Sequence, residues 1–204
     1  MTFNDLKKIL LLNNSGLIIK ENEDAIFALI PELLECKDFN QHSPWHPYSL
    51  YEHILYALNS VKSEYIELDA TEEEIEKILI MKIAILFHDI GKKDTQVIDS
   101  NGIGHFPNHW LVSAEIFNKY APQMGLSNKA ISTINKLILY HEIRFEKMSE
   151  REKNAFLCQL TRDEIIMLYK IKRADNMAQS KEAQDLIPML DEQENDILKK
   201  INKK

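Results

Sequence analysis

The chain has few of the residues that make tight turns and covalent cross-links. Its 204 residues include five glycines, six prolines and two cysteines. So few glycines and prolines argue against an all-β protein, which needs many tight turns. The two cysteines, Cys36 and Cys158, cannot form a disulfide framework, and neither belongs to a Cys-x-x-Cys pair.

Excess positive charge and long hydrophobic runs are also missing. The 25 Lys and Arg residues are outnumbered by 32 Asp and Glu residues, which gives a net charge of −7 and disfavours general electrostatic binding to RNA or DNA. The longest apolar run, from Ile78 to Phe87, is interrupted by Lys82 and is half of the roughly 20 residues that a membrane span requires. The N-terminus shows no basic segment followed by an apolar core. We therefore expect a soluble, cytoplasmic protein with no membrane partner.

Helix signals recur along the chain. Capping boxes, in which Ser or Thr is followed three residues later by Glu, begin at Thr71, Ser149 and Thr161. The first opens a central, largely apolar helix of about 20 residues. The spacing of apolar residues predicts further helices at about 47–62, 109–121, 128–143, 162–179 and 188–202, with two shorter ones around 6–12 and 25–34.

The turn signature Asp99-Ser100-Asn101-Gly102 predicts a small β-hairpin near residues 95–106. No linker or internal repeat divides the chain. We therefore predict an all-α helical bundle forming a single domain over 1–204. Its N-terminal helices would lie in 1–40, its core in 47–179 and its C-terminal helix in 185–204.

Six ionisable side chains fall on helix faces that are otherwise apolar: His53, His88, Asp89, His109, His141 and Asp175. An unpaired buried polar group costs roughly 1–3 kcal/mol, and an unpaired charge costs more. A single such histidine is more often a core residue bonded to a backbone carbonyl, and that alternative stays open for each one taken alone. Six groups on five helices are better explained if they converge on a cation.

The residue types narrow the kind of metal. Four imidazoles and two carboxylates form a nitrogen and oxygen ligand set without thiolate. Such a set suits Mn, Fe, Co, Ni or Zn, and Mg where carboxylates and water dominate. Structural zinc sites are instead closed, tetrahedral and rich in cysteine. We therefore predict one or two divalent metal ions and leave their identity open.

The order of these residues carries a resemblance. Its motifs are Tyr51-Glu52-His53, Leu86-Phe87-His88-Asp89-Ile90-Gly91-Lys92, Gly104-His105-Phe106 with Asn108-His109, then His141, and Arg173-Ala174-Asp175. This series resembles the HD-domain superfamily of metal-dependent phosphohydrolases, named for the adjacent His-Asp pair. Over roughly residues 6–179 the chain is most similar to the C-terminal HD region of bacterial tRNA nucleotidyltransferases that repair the 3′ CCA end. Because the sequence lacks the Gly-Ser strand-turn and paired aspartates of their transferase head, we expect a free-standing HD domain that does not add CCA by itself.

The resemblance implies an HD-domain bundle around a metal centre and hydrolysis of a small phosphate ester, most simply of a nucleotide. The activity would be that of a phosphatase, a 2′-nucleotidase or a 2′,3′-cyclic phosphodiesterase. The first metal ion would be held by His53, His88, Asp89 and Asp175. His109 and His141 would hold a second ion with Asp89 as the shared bridge, or would contact the substrate directly.

Further residues are candidates for catalysis or substrate binding. Besides the shared Asp89, we predict a catalytic role for Lys92, which follows His-Asp-Ile-Gly and is expected at the lip of the site, where it would pair with the substrate phosphate. His105, near the entrance, is a candidate general acid. Arg144 and Arg173 are candidates for substrate binding. The alternative for each of these is a solvated surface residue.

Two other functions stay open at this point. The same centre could hold a nucleotide or a tRNA end for a separate transferase, although the net charge disfavours RNA. It could also belong to a di-iron oxygenase, since some HD-type proteins cleave organic substrates with O₂. The sequence makes no prediction about the oligomeric state.

Overall fold

The computed structural model describes residues 1–61 and 70–201. The described chain consists of helices and one small sheet. Its α-helices are α1 (Phe3–Leu10), α2 (Ser15–Glu21), α3 (Glu23–Leu29), α4 (Glu32–Cys36), α5 (Leu50–Ser60), α6 (Glu72–Phe87), α7 (Lys92–Thr95), α8 (His109–Tyr120), α9 (Asn128–Tyr140), α10 (Glu150–Leu157), α11 (Arg162–Met177), α12 (Lys181–Gln184) and α13 (Ile187–Ile201). Its strands are β1 (Val97–Ile98) and β2 (Gly104–His105). The predicted all-α bundle with one small hairpin is confirmed.

The capping boxes mark helix starts as the sequence predicts. At the start of α6, Glu74 N donates to Thr71 Oγ1 at 3.3 Å, and Thr71 N donates to the Glu74 carboxylate at 2.9 Å. The same reciprocal bonds open α10 at Ser149 and α11 at Thr161. Each pair satisfies amides that a first helical turn leaves free, and so fixes where the helix begins.

Helix α6 is the centre of the bundle. It packs against α5, α8, α9 and α11, and its residues from Ile80 to Phe87 are all buried. Lys82 is fully buried among them; its ammonium group donates to Leu58 O at 2.5 Å and to Ser15 Oγ at 3.0 Å. The helix ends at Phe87, so that His88 and Asp89 leave it at the centre of the bundle.

The hairpin forms where the turn signature predicts it. Strand β1 pairs antiparallel with β2, with Val97 opposite His105. The Asp99 carboxylate accepts from the backbone amides of Asn101 and Ile103, and Gly102 adopts a φ of +79° that favours glycine. Gly104 N donates to His42 O at 2.8 Å, so the hairpin is fastened to the loop that precedes α5.

The two ends of the chain differ from the sequence prediction in detail. The first 40 residues form four short helices, α1 to α4, where two were predicted. The predicted helices 47–62 and 188–202 correspond to α5 and α13, and their last residues lie outside the described part of the chain. A second, smaller hydrophobic cluster forms where α13 packs on α11; it contains Phe145, Ile165, Tyr169, Leu190 and Ile197. Across residues 1–61 and 70–201, no helix has the length and hydropathy needed to cross a bilayer.

Candidate metal centre and adjoining cavity

The six ionisable side chains predicted from the sequence meet at the centre of the bundle. They are carried by α5 (His53), the end of α6 (His88 and Asp89), the start of α8 (His109), the end of α9 (His141) and the last turns of α11 (Asp175). A glycine permits this approach. A Cβ atom at Gly91 would lie 2.6 Å from His109 O and 2.7 Å from Ser113 N, so a larger residue would push α8 away from the end of α6.

The first group gathers around one nitrogen of His53. His53 Nε2 lies 3.1 Å from Asp175 Oδ1, 3.2 Å from Asp89 Oδ2 and 3.4 Å from His88 Nε2. His88 Nε2 in turn lies 3.3 Å from Asp89 Oδ2. These four residues offer ligand atoms that all lie within 4.8 Å of one another, which is close enough to share one metal ion.

The second group gathers around the other oxygen of Asp89. Asp89 Oδ1 lies 3.1 Å from His109 Nε2 and 3.3 Å from His141 Nε2, and the two imidazole nitrogens are 3.3 Å apart. The carboxylate of Asp89 therefore faces both groups, with one oxygen toward each. This is the arrangement expected if the residue bridges two ions.

The hydrogen bonds of the four histidines show what the cluster requires. Each Nδ1 atom lies 2.7–3.2 Å from a backbone carbonyl: those of Ala178, Ile85, Phe106 and Ile138 for His53, His88, His109 and His141. A carbonyl can only accept, so each Nδ1 carries the proton and a neutral ring then presents a lone pair at Nε2. Those lone pairs face carboxylate oxygens, of which Asp89 Oδ1 has no hydrogen-bond donor among the described residues. Buried acceptors that face one another need a cation between them, and the donor set fits a divalent metal.

The histidines and carboxylates of the cluster shift one another's pKa values. Burial, the largest influence, disfavours a charged His53, but hydrogen bonds with Asp175 and Asp89 raise its pKa to about 9. Burial also opposes ionisation of Asp89 and Asp175, yet the neighbouring histidines hold both carboxyl pKa values well below the usual range. For His141, burial prevails and lowers the pKa. Two ionised carboxylates therefore face a protonated His53 and the ammonium group of Lys92.

Lys92 occupies a different place from the one expected. The sequence places it at the lip of the site, whereas the structure has it 97% buried with Nζ 2.6 Å from Asp89 Oδ2 and 3.3 Å from Gln41 Oε1. The ring of Phe106 covers it, with its centroid 5.3 Å from Nζ. The lysine is therefore held against the shared carboxylate rather than presented to solvent, because the loop before α5 and the segment after the hairpin close over it.

The remaining predicted site residues are dispersed. His105 lies on β2 with 59% of its side chain exposed and pairs with Asp99 within the hairpin. The Arg173 guanidinium pairs with Asp191 and Glu194 of α13. Neither lines the cavity beside the metal centre, whereas Arg144 does. A general-acid role for His105 and substrate binding by Arg173 therefore gain no support from these positions.

Two residues that the sequence analysis missed touch the predicted ligands. Gln179 Nε2 donates to Asp175 Oδ1 at 2.8 Å and so orients that carboxylate. Glu142, next to His141, places Oε1 4.0 Å from His109 Nε2. Gln179 lies four residues after Asp175 and just beyond the end of α11, a spacing that is visible in the sequence.

Two more residues, on the loop before α5, carry buried atoms without a partner among the described residues. Gln41 Nε2 is one, and His46 Nδ1 is the other. The His46 ring packs edge-on against that of His53, with centroids 5.1 Å apart. Burial lowers the pKa of His46 to about 3, so this ring is neutral at physiological pH. Because the loop has no helical periodicity, nothing in the sequence indicates which of its side chains point inward.

A cavity of about 370 Å³ adjoins the cluster. His141 and Asp175 belong to both. Its wall also contains Trp45 and His46 from the loop before α5, Glu142 and Arg144 after α9, and residues of α13. Its volume lies within the range of about 300–1,000 Å³ that is typical of small-ligand sites. A small molecule in this cavity would therefore lie beside the cluster.

Comparison with known proteins gives distant matches. No protein-family model matches the chain. It is similar to bifunctional uridylyltransferase/uridylyl-removing enzymes of Cereibacter sphaeroides and Ruegeria pomeroyi, with 26% identity over 133 and 136 residues, or 61% and 63% of this chain. A third such enzyme, of Azospirillum brasilense, is 26% identical over 129 residues. The matched region makes up only 13–14% of each relative. These matches give partial support to the HD-superfamily resemblance and none to the narrower resemblance to CCA-adding enzymes.

Proposed function

We propose that the protein is a metal-dependent phosphohydrolase that cleaves a phosphate ester of a nucleotide. The observation that carries this proposal is the convergence of four imidazole nitrogens on two carboxylates in the bundle centre, with Asp89 facing both groups. That arrangement gathers many buried acceptors in one place, and bound cations would explain why they are kept there.

The proposed ligands form two groups, one for each metal ion. One ion would be held by His53, His88, Asp89 and Asp175, and a second by Asp89, His109 and His141. Divalent ions bound in such a pair supply neutralisation of the phosphate charge and acidification of water at neutral pH.

The other residues around the cluster would keep these ligands in place. Lys92 holds the shared carboxylate of Asp89, and Gln179 holds that of Asp175. The backbone carbonyls fix the rotation of every imidazole ring. Contacts of this kind typically change metal affinity or activity 10–100-fold when they are removed. The chain therefore supplies a preorganised centre, and substrate would approach it through the adjoining cavity.

The relatives support hydrolysis of a nucleotide ester. Their name includes removal of a uridylyl group, and release of a nucleotidyl group by water is hydrolysis of a phosphate ester. The matched region covers most of this chain but only a small part of each relative. The name therefore describes much longer proteins. We therefore infer the ester class from the relatives and leave the carrier of the nucleotide unspecified.

The test combines metal analysis with a substrate panel. The purified chain is loaded in turn with Mn²⁺, Zn²⁺, Ni²⁺, Co²⁺, Mg²⁺ and, without oxygen, Fe²⁺. It is then assayed with nucleoside monophosphates, 2′,3′-cyclic nucleotides and nucleotidyl diesters. We expect stoichiometric metal and hydrolysis of at least one class. Asp89→Asn should lose metal and at least about 100-fold in activity, whereas Asp185→Asn, at an exposed position that belongs neither to the cluster nor to the cavity wall, should retain both.

Other outcomes would favour the alternatives. Bound metal with no hydrolysis of any ester, together with tight binding of tRNA ends, would replace the proposal with an accessory module. Oxygen consumption by the iron-loaded protein alone would replace it with an oxygenase. Absence of bound metal in the folded wild-type chain would refute the proposal outright.

A further inference from the structure

The loop before α5 brings an aromatic surface to the cavity. The Trp45 indole lines the cavity wall and is nevertheless 49% exposed. The loop backbone is held in place, because Ser180 N donates to Trp45 O at 2.8 Å and His46 N donates to Ser43 O at 3.1 Å. A half-exposed indole on a backbone that is already held offers a flat ligand a stacking surface, and the backbone needs no further ordering on binding.

The neighbouring residue adds an unused hydrogen-bonding group. His46 also lines the cavity, and its buried Nδ1 has no partner among the described residues. A buried polar atom without a partner destabilises a protein unless a ligand or water satisfies it. The loop thus places a flat indole next to an imidazole nitrogen that lacks a partner among the described residues. A nucleic-acid base has a flat face for the first and a polar edge for the second.

The rest of the wall is apolar in one region. Leu186, directly before α13, and Met189, in the first turn of α13, line the cavity. Their exposed fractions are 44% and 39%. Large apolar side chains that remain exposed on a cavity wall favour an apolar or aromatic part of a ligand.

The charges of the wall limit the number of phosphates. Arg144 and Lys172 line the cavity, but so do the carboxylates of Glu142 and Glu146. The Lys172 ammonium already donates to two backbone carbonyls, at 2.7 and 2.9 Å. A chain of phosphates extending from the metal centre would therefore meet as many carboxylates as cations. The volume of about 370 Å³ is also near the lower limit for small-ligand sites, which suits one nucleotide rather than an oligonucleotide.

We propose that this cavity selects a nucleoside ester with a single phosphate, whose base stacks on Trp45 and bonds to His46 while its phosphate faces the metal centre. The inference rests on the proposed function for the orientation of the ligand. Trp45 is then a specificity-determining residue that acts on the base and not on the reacting bond.

Fluorescence tests recognition without requiring turnover. The chain has two tryptophans, so Trp110→Phe leaves Trp45 as the only indole. We expect uridine and adenosine monophosphates, with Mg²⁺ present, to quench Trp45 and to bind about 10-fold more tightly than ribose 5-phosphate. The corresponding triphosphates should bind more weakly than the monophosphates. His46→Phe, which keeps a ring beside His53, should weaken binding of the monophosphates about fivefold.

Kinetics of Trp45→Ala and Trp45→Phe provide the second arm. For a nucleotide that the wild type hydrolyses, the alanine variant should raise KM about 10-fold with kcat within a factor of two, and the phenylalanine variant should stay close to wild type. Hydrolysis of ribose 5-phosphate should be the same in all three proteins.

The two arms separate failure of the inference from failure of the proposed function. Hydrolysis of nucleotides with no effect of Trp45→Ala, or equal losses on ribose 5-phosphate, would overturn the inference and leave the hydrolase intact. Equal binding of the monophosphates and ribose 5-phosphate would overturn it as well. Trp45-dependent binding of the monophosphates in a protein that hydrolyses no ester would support the recognition site and refute the proposed activity.

Discussion

Lys82 provides a prediction whose size follows from the structure. This lysine is fully buried in α6, and within residues 1–61 and 70–201 its ammonium group donates to two neutral oxygens, Leu58 O and Ser15 Oγ. Burial therefore lowers its pKa from 10.5 to about 8. A group whose pKa falls on folding makes the unfolded chain the better proton binder between the two values, so the free energy of unfolding rises with pH in that window.

The magnitude comes from the difference between the two pKa values. Below pH 8 the charged lysine costs the folded state about 3 kcal/mol, and above pH 10.5 this cost disappears. Compared with pH 7, the free energy of unfolding should therefore be higher by about 1 kcal/mol at pH 9 and by about 2.5 kcal/mol at pH 10. Lys82→Met, which keeps the length of the side chain and removes the charge, should lack this increase.

The assay is urea unfolding of the wild type and Lys82→Met at pH 7, 8, 9 and 10. Other groups titrate in both proteins, so the difference between the two unfolding free energies isolates Lys82. Lys129→Met, at an exposed position of α9, is the matched control and should differ from wild type by a constant amount. A difference between wild type and Lys82→Met that does not change with pH would show that the folded protein does not hold a desolvated ammonium at this position.

Three further outcomes are expected. Gln179→Leu removes the donor to Asp175 and should weaken metal binding about 10-fold, measured by metal titration; an unchanged affinity would contradict the assigned contact. Arg173→Ala breaks the ion pairs to α13 and should lower the free energy of unfolding by about 1 kcal/mol in a thermal assay, with KM unchanged. Arg144→Ala, in the cavity wall, should raise KM and leave stability unchanged. The reverse pattern would exchange the roles of the two arginines. Thr71→Ala removes the cap of α6 and should destabilise the chain by about 1 kcal/mol in the same thermal assay. A loss of less than about 0.3 kcal/mol, extrapolated to about 25 °C, would show that the cap is unimportant.

The positions of the six clustered residues could be predicted because helical periodicity acts locally. A histidine three residues after Leu50 must lie on the same face as that leucine, whatever else the chain does. Once the helices pack through their apolar faces, polar groups on those faces are brought together. The sequence thus identifies the members of the cluster, and their convergence is what the structure adds.

The positions of the cations around the site could not be predicted, because they depend on contacts between distant segments. Lys92 is buried by Gln41, 51 residues earlier, and by Phe106 beyond the hairpin. Arg173 is taken up by acidic residues on α13, 18 and 21 residues later. The local sequence does not show that Arg173 pairs with acidic residues whereas Arg144 lines the cavity.

The loop before α5 shows the same limit in another form. Trp45 and His46 have no periodic neighbours that would assign them a face. Their place in the cavity wall follows from backbone bonds to Ser180 and Ser43, of which the first lies far along the chain. Residues of this kind become visible only when the fold is known.

The carbonyls that orient His88 and His141 lie three residues earlier, in the final turns of α6 and α9. Ring rotation at the centre is thus coupled to the winding of two helix ends. Fraying of either end by one residue would swing an imidazole away from its neighbours without any change in ligand identity. Substitutions in those turns, even apolar ones, should therefore mimic loss of a ligand in a metal titration, and a thermal shift measured alongside would reveal their true origin.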